Sequence, residues 1–245
     1  MSAMSLSPRW NRVVLKMSGE ALASSASDET IDAIIVDRLA KELVEAKDSL
    51  GIELAVVVGG GNIWRGATGQ YAGIERSTSD TMGMLATVIN ALALQEAIER
   101  NGQPTRVCSA IQMAEIAEPY IRRRALRHLE KGRIVIFAAG MGNPYFTTDT
   151  PAALRAKEIG AQVLLKGTHS GVDGVYSADP RINKEATKFD EISFADVLSK
   201  DLKVMDLTAI TFCKDNNLPI YVFNLMVAGN IKMALAGQEV GTLIK

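Results

Sequence analysis

The sequence predicts an α/β protein built around one dominant, mainly parallel sheet with helices on both faces. Apolar runs of about five to seven residues recur along the chain, and most are followed by a segment with helical spacing of apolar residues. Continuous apolar strands that alternate with helices are typical of parallel sheets buried on both faces. In such sheets ligands bind beyond the carboxyl ends of the strands, so the residues that follow each strand are the candidates for function.

Strands and helices alternate through the first half of the chain. The run RVVLKM (12–17) is a predicted strand, and IELAVVV (52–58) is the next. Between them, 31–51 is a predicted helix, and a glycine ends it. The apolar residues of that helix recur at helical spacing, at Ile31, Ile34, Ile35, Leu39 and Leu43. A helix over 80–100 and a short strand over 105–110 follow.

The same alternation continues in the second half. A helix over 149–160 has clear start signals, because Thr150 stands where an N-cap belongs and Pro151 where the first helical residue belongs. No repeat or linker interrupts the pattern, so we expect residues 1–245 to form a single domain, with 1–11 as a flexible N-terminal segment. The remaining predicted elements are a helix over 119–132, strands over 133–140, 161–166 and 219–224, a helix over 228–237 and a strand over 241–244.

Composition excludes several classes of function. The formal net charge is −1, whereas a long nucleic-acid footprint needs an excess of basic residues, so we expect no nucleic-acid partner. Two cysteines and two histidines are too few for a Cys/His zinc site or a disulfide framework. A reducing compartment therefore fits best, and we expect a cytoplasmic location.

No segment predicts a membrane anchor. The first residues, MSAMSLSPRWNR, lack the apolar core of a signal peptide. The longest uncharged apolar-rich stretch, 81–95, is shorter than the roughly 18–20 residues that a membrane span needs. Because it is apolar on most sides, we interpret it as a helix buried within the protein or between subunits.

Three consecutive glycines follow the predicted strand 52–58, in VVVGGGNIWRG. They do not form a Walker A loop, because no G-K-S or G-K-T occurs in the chain, and they do not form the G-x-G-x-x-G of dinucleotide-binding folds, because the sixth position is Trp64. Glycines let phosphate oxygens approach backbone N–H groups, and Arg65 could add a bidentate clamp. A tight strand-to-helix turn explains the glycines equally well.

Other predicted strand ends favour the phosphate interpretation. Lys16 lies within an apolar strand, a costly position for a cation without a partner. Lys166 ends another strand and is followed by a glycine-rich loop, and Asp149 stands at a predicted helix start after a third. Turns alone would not need two lysines within strands.

Several motifs together resemble the bacterial uridylate (UMP) kinases of the amino-acid-kinase superfamily. The resemblance covers roughly residues 12–244. KMSGEAL and GGG occur loosely across the superfamily, whereas two motifs are more specific to the UMP kinase branch. These are GNPYFTTD and SDTMGMLATVINALAL, and VDGVYSADP and LKVMDLTAI also match.

The resemblance implies a three-layer αβα sandwich and transfer of the γ-phosphate of ATP to UMP in pyrimidine nucleotide biosynthesis. It also implies a cytoplasmic homohexamer that requires Mg²⁺, held through the phosphates rather than by protein ligands. Members are typically inhibited by UTP, and many are activated by GTP. Segment 23–32 lacks the glycines that members often carry there, which weakens the expectation of GTP activation.

The resemblance also assigns site residues. Lys16, Arg65, Asp149 and Lys166 are the predicted catalytic residues. The predicted ATP-binding residues are Lys16, Met17, Ser18, Gly19, Gly61, Arg65, Thr168, Tyr176 and Asp179. The predicted UMP-binding residues are Gly60, Asp80 (toward a ribose hydroxyl), Met141, Gly142, Asn143, Pro144, Tyr145, Phe146, Thr147 and Thr148. The loop 168–174 is longer than in some members, so His169 and Ser170 receive no role by position.

These residue types suit phosphoryl transfer between two anions. The attacking phosphate is mostly dianionic at neutral pH, since its second pKa is about 6, so no general base is needed. Positive charge and positioning must then supply the catalysis. Asp149 orients a lysine or binds magnesium through water; alternatively it is only a helix-start carboxylate. Two other functions remain open, namely a kinase that makes an acyl phosphate and a nucleotide- or oxyanion-binding storage or sensor protein.

Overall fold

The computed structural model describes residues 7–24, 29–65 and 73–245. Within these ranges a nine-stranded sheet lies between two helical layers, which confirms the predicted α/β sandwich. The strands are β1 Arg12–Met17, β2 Glu53–Val58, β3 Thr105–Ser109, β4 Glu118–Pro119, β5 Ile134–Ala138, β6 Val163–Thr168, β7 Val175–Tyr176, β8 Lys188–Phe189, β9 Glu191–Ile192, β10 Ile220–Asn224 and β11 Gly241–Ile244. The helices are α1 Ala33–Leu50, α2 Arg76–Arg100, α3 Arg122–Glu130, α4 Asp149–Glu158, α5 Phe194–Ser199, α6 Leu207–Asp215 and α7 Asn230–Leu235, and a 3-10 turn spans Gly19–Leu22.

The strand order in the main sheet is β4-β3-β5-β2-β1-β6-β10-β11-β9. Every neighbouring pair is parallel except β10 and β11, while β7 and β8 form a separate antiparallel pair. β1 therefore lies at the centre between β2 and β6, with Lys16 in register with Lys166. The carboxyl ends of these three strands meet at one edge, where the sequence places its lysines and glycines.

Alternate residues of the central strands build two cores. On one face Val13, Leu15 and Met17 pack with α1, α2 and α7. On the other face Val14 and Leu164 pack with α3, α4 and α6. Burial of continuous apolar strands on both faces provides the main driving force for this sheet.

Helix α2 is longer than predicted. It begins at Arg76 rather than near residue 80 and has 25 residues, so in the part of the chain described here it alone has the length and apolar composition of a membrane span. Half of its most apolar stretch is buried inside the protein, where residues such as Met84, Val88 and Leu94 join the core. This burial is typical of a core helix. Leu85 and Ile89 face outward, 46% and 49% exposed.

The start of α4 differs from the prediction. The N-cap is Thr148 and Asp149 is the first helical residue, so Thr150 is not the cap. The reason is that Asp206 accepts a hydrogen bond from the Thr150 hydroxyl (3.0 Å), while the Asp149 N–H donates to Thr147 Oγ1 (3.1 Å). Tertiary contacts thus move the helix start two residues toward the N-terminus.

Part of the predicted flexible segment 1–11 is held against the fold. Residues 1–6 lie outside the described residues. Within the rest, the Arg9 N–H donates to Leu235 O (3.1 Å), and Trp10 is 9% exposed and packs near Tyr221. These contacts hold residues 9 and 10 against the fold.

Candidate active site

Lys16, Asp149 and Lys166 form a buried charge cluster at the carboxyl ends of β1 and β6. Because the two lysines are register partners on neighbouring parallel strands, their side chains emerge side by side. Asp149, at the start of α4, receives both: its Oδ1 lies 2.9 Å from Lys16 Nζ and 2.6 Å from Lys166 Nζ. Asp149 thus contacts both lysines, as its lysine-orienting interpretation expects, and it is also the first residue of α4.

The electrostatics of the cluster follow from burial and proximity. Burial alone would raise the pKa of Asp149, but the ammonium groups of Lys16 and Lys166 outweigh it and lower that pKa to about 2. Burial lowers the pKa of Lys166 to about 8, with the Lys16 charge adding to the effect and Asp149 opposing it. The cluster therefore holds two cations close together around one anion, with a net positive charge that suits an anionic ligand.

We expect the lowered pKa of Lys166 to appear in the pH dependence of stability. Between about pH 8 and 10.5 the unfolded chain keeps the Lys166 proton while the folded chain loses it, so this residue makes the unfolding free energy rise with pH. Urea unfolding of wild type and Lys166→Met at half-unit pH steps measures the contribution as a difference. A difference that stays constant from pH 8 to 10.5 would contradict the lowered pKa.

The glycines after β2 pack closely against their neighbours. The Gly59 N–H donates to Met17 O (2.9 Å), and a Cβ at Gly59 would lie 2.8 Å from Gly19 N. A Cβ at Gly60 would lie 2.7 Å from the carbonyl oxygen of Gly83 on α2. Close backbone approach therefore explains these two glycines, whatever ligand the loop binds.

Gly60→Ala is expected to destabilise the fold by about 1–3 kcal/mol, because the new methyl group would overlap the backbone of α2. Gly83→Ala is the matched control. Among the described residues outside its own helix, a Cβ there would have only Trp64 O within 4 Å, at 3.8 Å, and alanine favours a helix interior by up to about 1 kcal/mol. Unfolding free energies from urea titration test the pair, and equal stability of the two variants would argue against the packing role.

Arg65, predicted to clamp the triphosphate, forms an ion pair with Glu20. Glu20 belongs to the 3-10 turn that follows β1, and a Cβ at Gly61 would overlap its carboxylate. The Arg65 side chain is 61% exposed and lines the cavity described below, so it faces solvent as well as Glu20. The sequence gives no sign of this pairing, since the two residues are 45 positions apart.

Asp80 joins helix α2 to the loop 141–148. Its carboxylate accepts hydrogen bonds from Arg76 Nε (2.8 and 2.9 Å) and from the Tyr145 N–H (2.8 Å). Tyr145 has a φ of +72°, an uncommon left-handed conformation for a bulky residue. The predicted ribose-binding carboxylate thus also holds the shape of the predicted UMP-binding loop.

Asp206 anchors the other end of that loop. It accepts hydrogen bonds from the hydroxyls of Thr147 and Thr150 and, as N-cap of α6, from the Ala209 N–H (2.7 Å). One side chain therefore connects the loop, α4 and α6. The motif LKVMDLTAI contains Asp206 but does not reveal this contact.

Three predicted ATP-binding residues at and after the end of β6 form hydrogen bonds with residues close to them in sequence. The Thr168 hydroxyl donates to Val172 O and Tyr176 Oη donates to Asp173 (2.6 Å). Asp179 accepts two hydrogen bonds from the Arg181 guanidinium (3.0 and 2.7 Å). These bonds organise the loop, which lies beside β1.

A cavity of about 870 Å³ adjoins most of these features. Most of the predicted site residues line it: Lys16, Ser18, Gly19, Gly60, Gly61, Arg65, Asp80, Met141, Asn143, Phe146, Thr147, Thr148, Lys166, Thr168, Tyr176 and Asp179. Residues from six separate chain segments thus converge at one edge of the sheet, as the strand ends predict.

Five predicted site residues do not line the cavity: Met17, Gly142, Pro144, Tyr145 and Asp149. The side chain of Met17 is fully buried in the core, because odd-numbered residues of β1 face α1 and α2. A Cβ at Gly142 would lie 3.0 Å from Ala110 O, so this residue packs against the β3 end. Asp149 is covered by the two lysines, whose ammonium groups it contacts.

Residues 11–224 match the sequence profile of the amino acid kinase family. The chain belongs to this family. The resemblance seen in the sequence is thereby confirmed.

Solved structures of family members have the same fold. UMP kinase from Bacillus anthracis is 39% identical to this chain, with a TM-score of 0.92 over 96% of both chains. UMP kinase from Ureaplasma parvum is 38% identical, with a TM-score of 0.91 over 97% of this chain and 99% of its own. Uridylate kinase from Archaeoglobus fulgidus is 29% identical, with a TM-score of 0.72 over 95% of this chain and 99% of its own.

Several carboxylates around the cavity form ion pairs with cationic side chains. Four of the carboxylates described above have a cationic partner: Asp149 the two lysines, Asp80 Arg76, Glu20 Arg65 and Asp179 Arg181. Among residues 7–24, 29–65 and 73–245, no group of three His, Cys, Asp or Glu side chains could chelate a metal ion.

Proposed function

We propose that this chain is a UMP kinase, which transfers the γ-phosphate of ATP to UMP and forms UDP and ADP. The observation that carries the proposal is the Lys16–Asp149–Lys166 cluster, which adjoins a cavity bounded by glycine turns and by the loop 141–148. The names and 38–39% identities of two solved family members support it.

The cluster suits the electrostatic problem of this reaction. An oxygen of the UMP phosphate forms a bond to the γ-phosphorus while the bond from that phosphorus to the β,γ-bridging oxygen breaks, and both partners are anions. Lys16 and Lys166 supply positive charge from fixed positions, since Asp149 holds both ammonium groups before the ligands bind. Backbone N–H groups at Ser18 and Gly19 would add neutral donors. Mg²⁺, bound to the phosphate oxygens of ATP, would supply further positive charge to the transferring group.

We place UMP against Asp80 and the loop 141–148, and ATP against the turn after β1 and the loop after β6. An ionised carboxylate has about four lone-pair sites, so Asp80 can accept a ribose hydroxyl in addition to its bonds from Arg76 and Tyr145. When ATP binds, Arg65 would give up part of its contact with Glu20 and contact the phosphates instead. The cluster then lies between donor and acceptor, where the phosphoryl group moves.

The proposal includes assembly and regulation. We propose one domain over residues 1–245, assembled as a cytoplasmic homohexamer in pyrimidine nucleotide synthesis and inhibited by UTP. The exposed apolar residues Leu85 and Ile89 on α2 offer a surface for a second copy. GTP is a possible activator that the assay below tests. Segment 23–32 lacks glycine, and residues 25–28 of this segment lie outside the described residues.

A coupled assay for UDP formation tests the proposal. ATP and Mg²⁺ are supplied with UMP, CMP, carbamate or N-acetylglutamate, with and without GTP and UTP, and Lys16→Ala serves as control for contaminating kinases. We expect turnover with UMP above all other acceptors. Turnover with carbamate or N-acetylglutamate instead would identify an acyl-phosphate kinase, and binding of both nucleotides without UDP formation would identify a storage or sensor protein.

We expect a substitution at Asp206 to weaken the binding of UMP and to leave the binding of ATP unchanged. Asp206→Ser keeps an N-cap for α6 but is too short to reach Thr147 and Thr150, so the loop 141–148 should loosen. We expect KM for UMP to rise about tenfold, the effect of losing roughly 1.4 kcal/mol of binding, with KM for ATP unchanged. Steady-state kinetics with each substrate varied measures this, and an equal rise in both KM values would contradict the local role.

A further inference from the structure

The loop after β6 presents His169 to the cavity in a defined position. The loop is closed at its base, because the Thr168 hydroxyl donates to Val172 O and the Leu225 N–H donates to Thr168 O (3.1 Å). Its far end is fixed by the Val175 N–H, which donates to Thr242 Oγ1 (2.9 Å). The residues between Thr168 and Val175 are therefore held by hydrogen bonds at both ends of the segment.

His169 is connected to the turn after β1. Its Nδ1 lies 2.7 Å from Ser18 Oγ, and both residues line the cavity. If Nδ1 accepts from the Ser18 hydroxyl, the ring proton is on Nε2. In the described part of the chain Nε2 has no hydrogen-bond partner, so it is free to donate to a ligand.

The surroundings favour a neutral ring in the free chain. Burial lowers the pKa of His169; Glu20 opposes this, and the cations nearby add to it. A neutral imidazole can donate a hydrogen bond without repelling the lysine cluster. The charged groups that face it are Glu20, Lys16, Arg65 and Lys166.

We propose that His169 is a donor-nucleotide-binding residue, whose Nε2–H contacts a phosphate oxygen of the ATP polyphosphate while Ser18 orients the ring. The inference rests on the proposed function for the identity of the donor. It gives a role to His169, which has none by comparison with the family's motifs. A polyphosphate is the matching ligand because the ring lies beside Ser18 and shares the cavity with Lys16.

Binding of a non-hydrolysable ATP analogue and of AMP, measured by calorimetry, tests the proposal. His169→Asn keeps a group near Nδ1 but lacks Nε2. It should lower the affinity for the ATP analogue about tenfold and the affinity for AMP less than about twofold. His169→Gln, whose amide nitrogen can reach the position of Nε2, should recover most of the affinity. Ser170→Ala, in the same loop, is the matched control and should bind as wild type does.

The pH dependence gives a second readout. Phosphate near the ring favours its charged form, so ATP-analogue affinity of the wild type should rise more steeply from pH 8 to pH 6 than that of His169→Gln. Unchanged affinity in His169→Asn, equal weakening of AMP, no recovery in His169→Gln or identical pH slopes would overturn the inference. Because these are binding measurements, they are independent of UDP formation: a wild type that makes no UDP would refute the proposed function alone.

Discussion

Lys16→Ala is expected to lower kcat for UDP formation by about 10²–10³-fold, because it removes one preorganised positive charge from the transferring phosphoryl group. The fold should persist, since Asp149 keeps Lys166 as a partner at 2.6 Å and no buried carboxylate is left alone. Steady-state kinetics and thermal unfolding of the same sample test both statements.

Lys41→Ala is the matched control for this experiment. Lys41 forms an exposed i,i+4 ion pair with Asp37 on α1 and does not line the cavity, so its loss should leave kcat unchanged. Near-wild-type kcat in Lys16→Ala would reject the catalytic role of Lys16. Loss of the folded state would instead show that the lysine is needed for the cluster itself.

Asp149→Asn is expected to lower both activity and stability. It leaves two neighbouring buried ammonium groups without a countercharge, and breaking a buried ion pair by removing one partner typically costs about 3–5 kcal/mol. The pKa of Lys166 should fall further below about 8, so at neutral pH a smaller fraction of the chains carries both cations. Turnover should therefore fall by about 10²-fold or more, as for loss of a preorganised donor.

A double-mutant cycle separates this account from a simple helix-start role for Asp149. In Asp149→Asn/Lys166→Met one of the two repelling charges is gone, so the double variant should be more stable than Asp149→Asn alone, with a coupling of about 1–3 kcal/mol. A carboxylate that only complements the helix dipole would contribute about 0.3–1 kcal/mol and show no coupling to Lys166. Urea unfolding of the four chains decides between them.

Much of the fold could be predicted because it depends on local pattern. The apolar runs at 12–17 and 52–58 are strands almost to the residue, and Gly51 ends α1 in the left-handed conformation that glycine favours. Segment 180–218 was not predicted, since its elements are short. The strands β8 and β9 have two residues each, and α5 and α6 have six and nine.

The residues of the site could be predicted more readily than their partners. A lysine within a buried strand signals a hidden counterion, and Asp149 is that counterion for both lysines. By contrast, the pairs Glu20–Arg65 and Thr150–Asp206 join distant segments. Only the three-dimensional fold brings them together, and the second pair also decides where α4 begins.

The most direct test of the central claim is a crystal structure of this chain with UMP and a non-hydrolysable ATP analogue bound together. The account predicts that the ammonium groups of Lys16 and Lys166 lie within hydrogen-bond distance of oxygens on the phosphoryl group to be transferred, with Asp149 still contacting both. Nucleotides bound with that phosphoryl group remote from both lysines would contradict it.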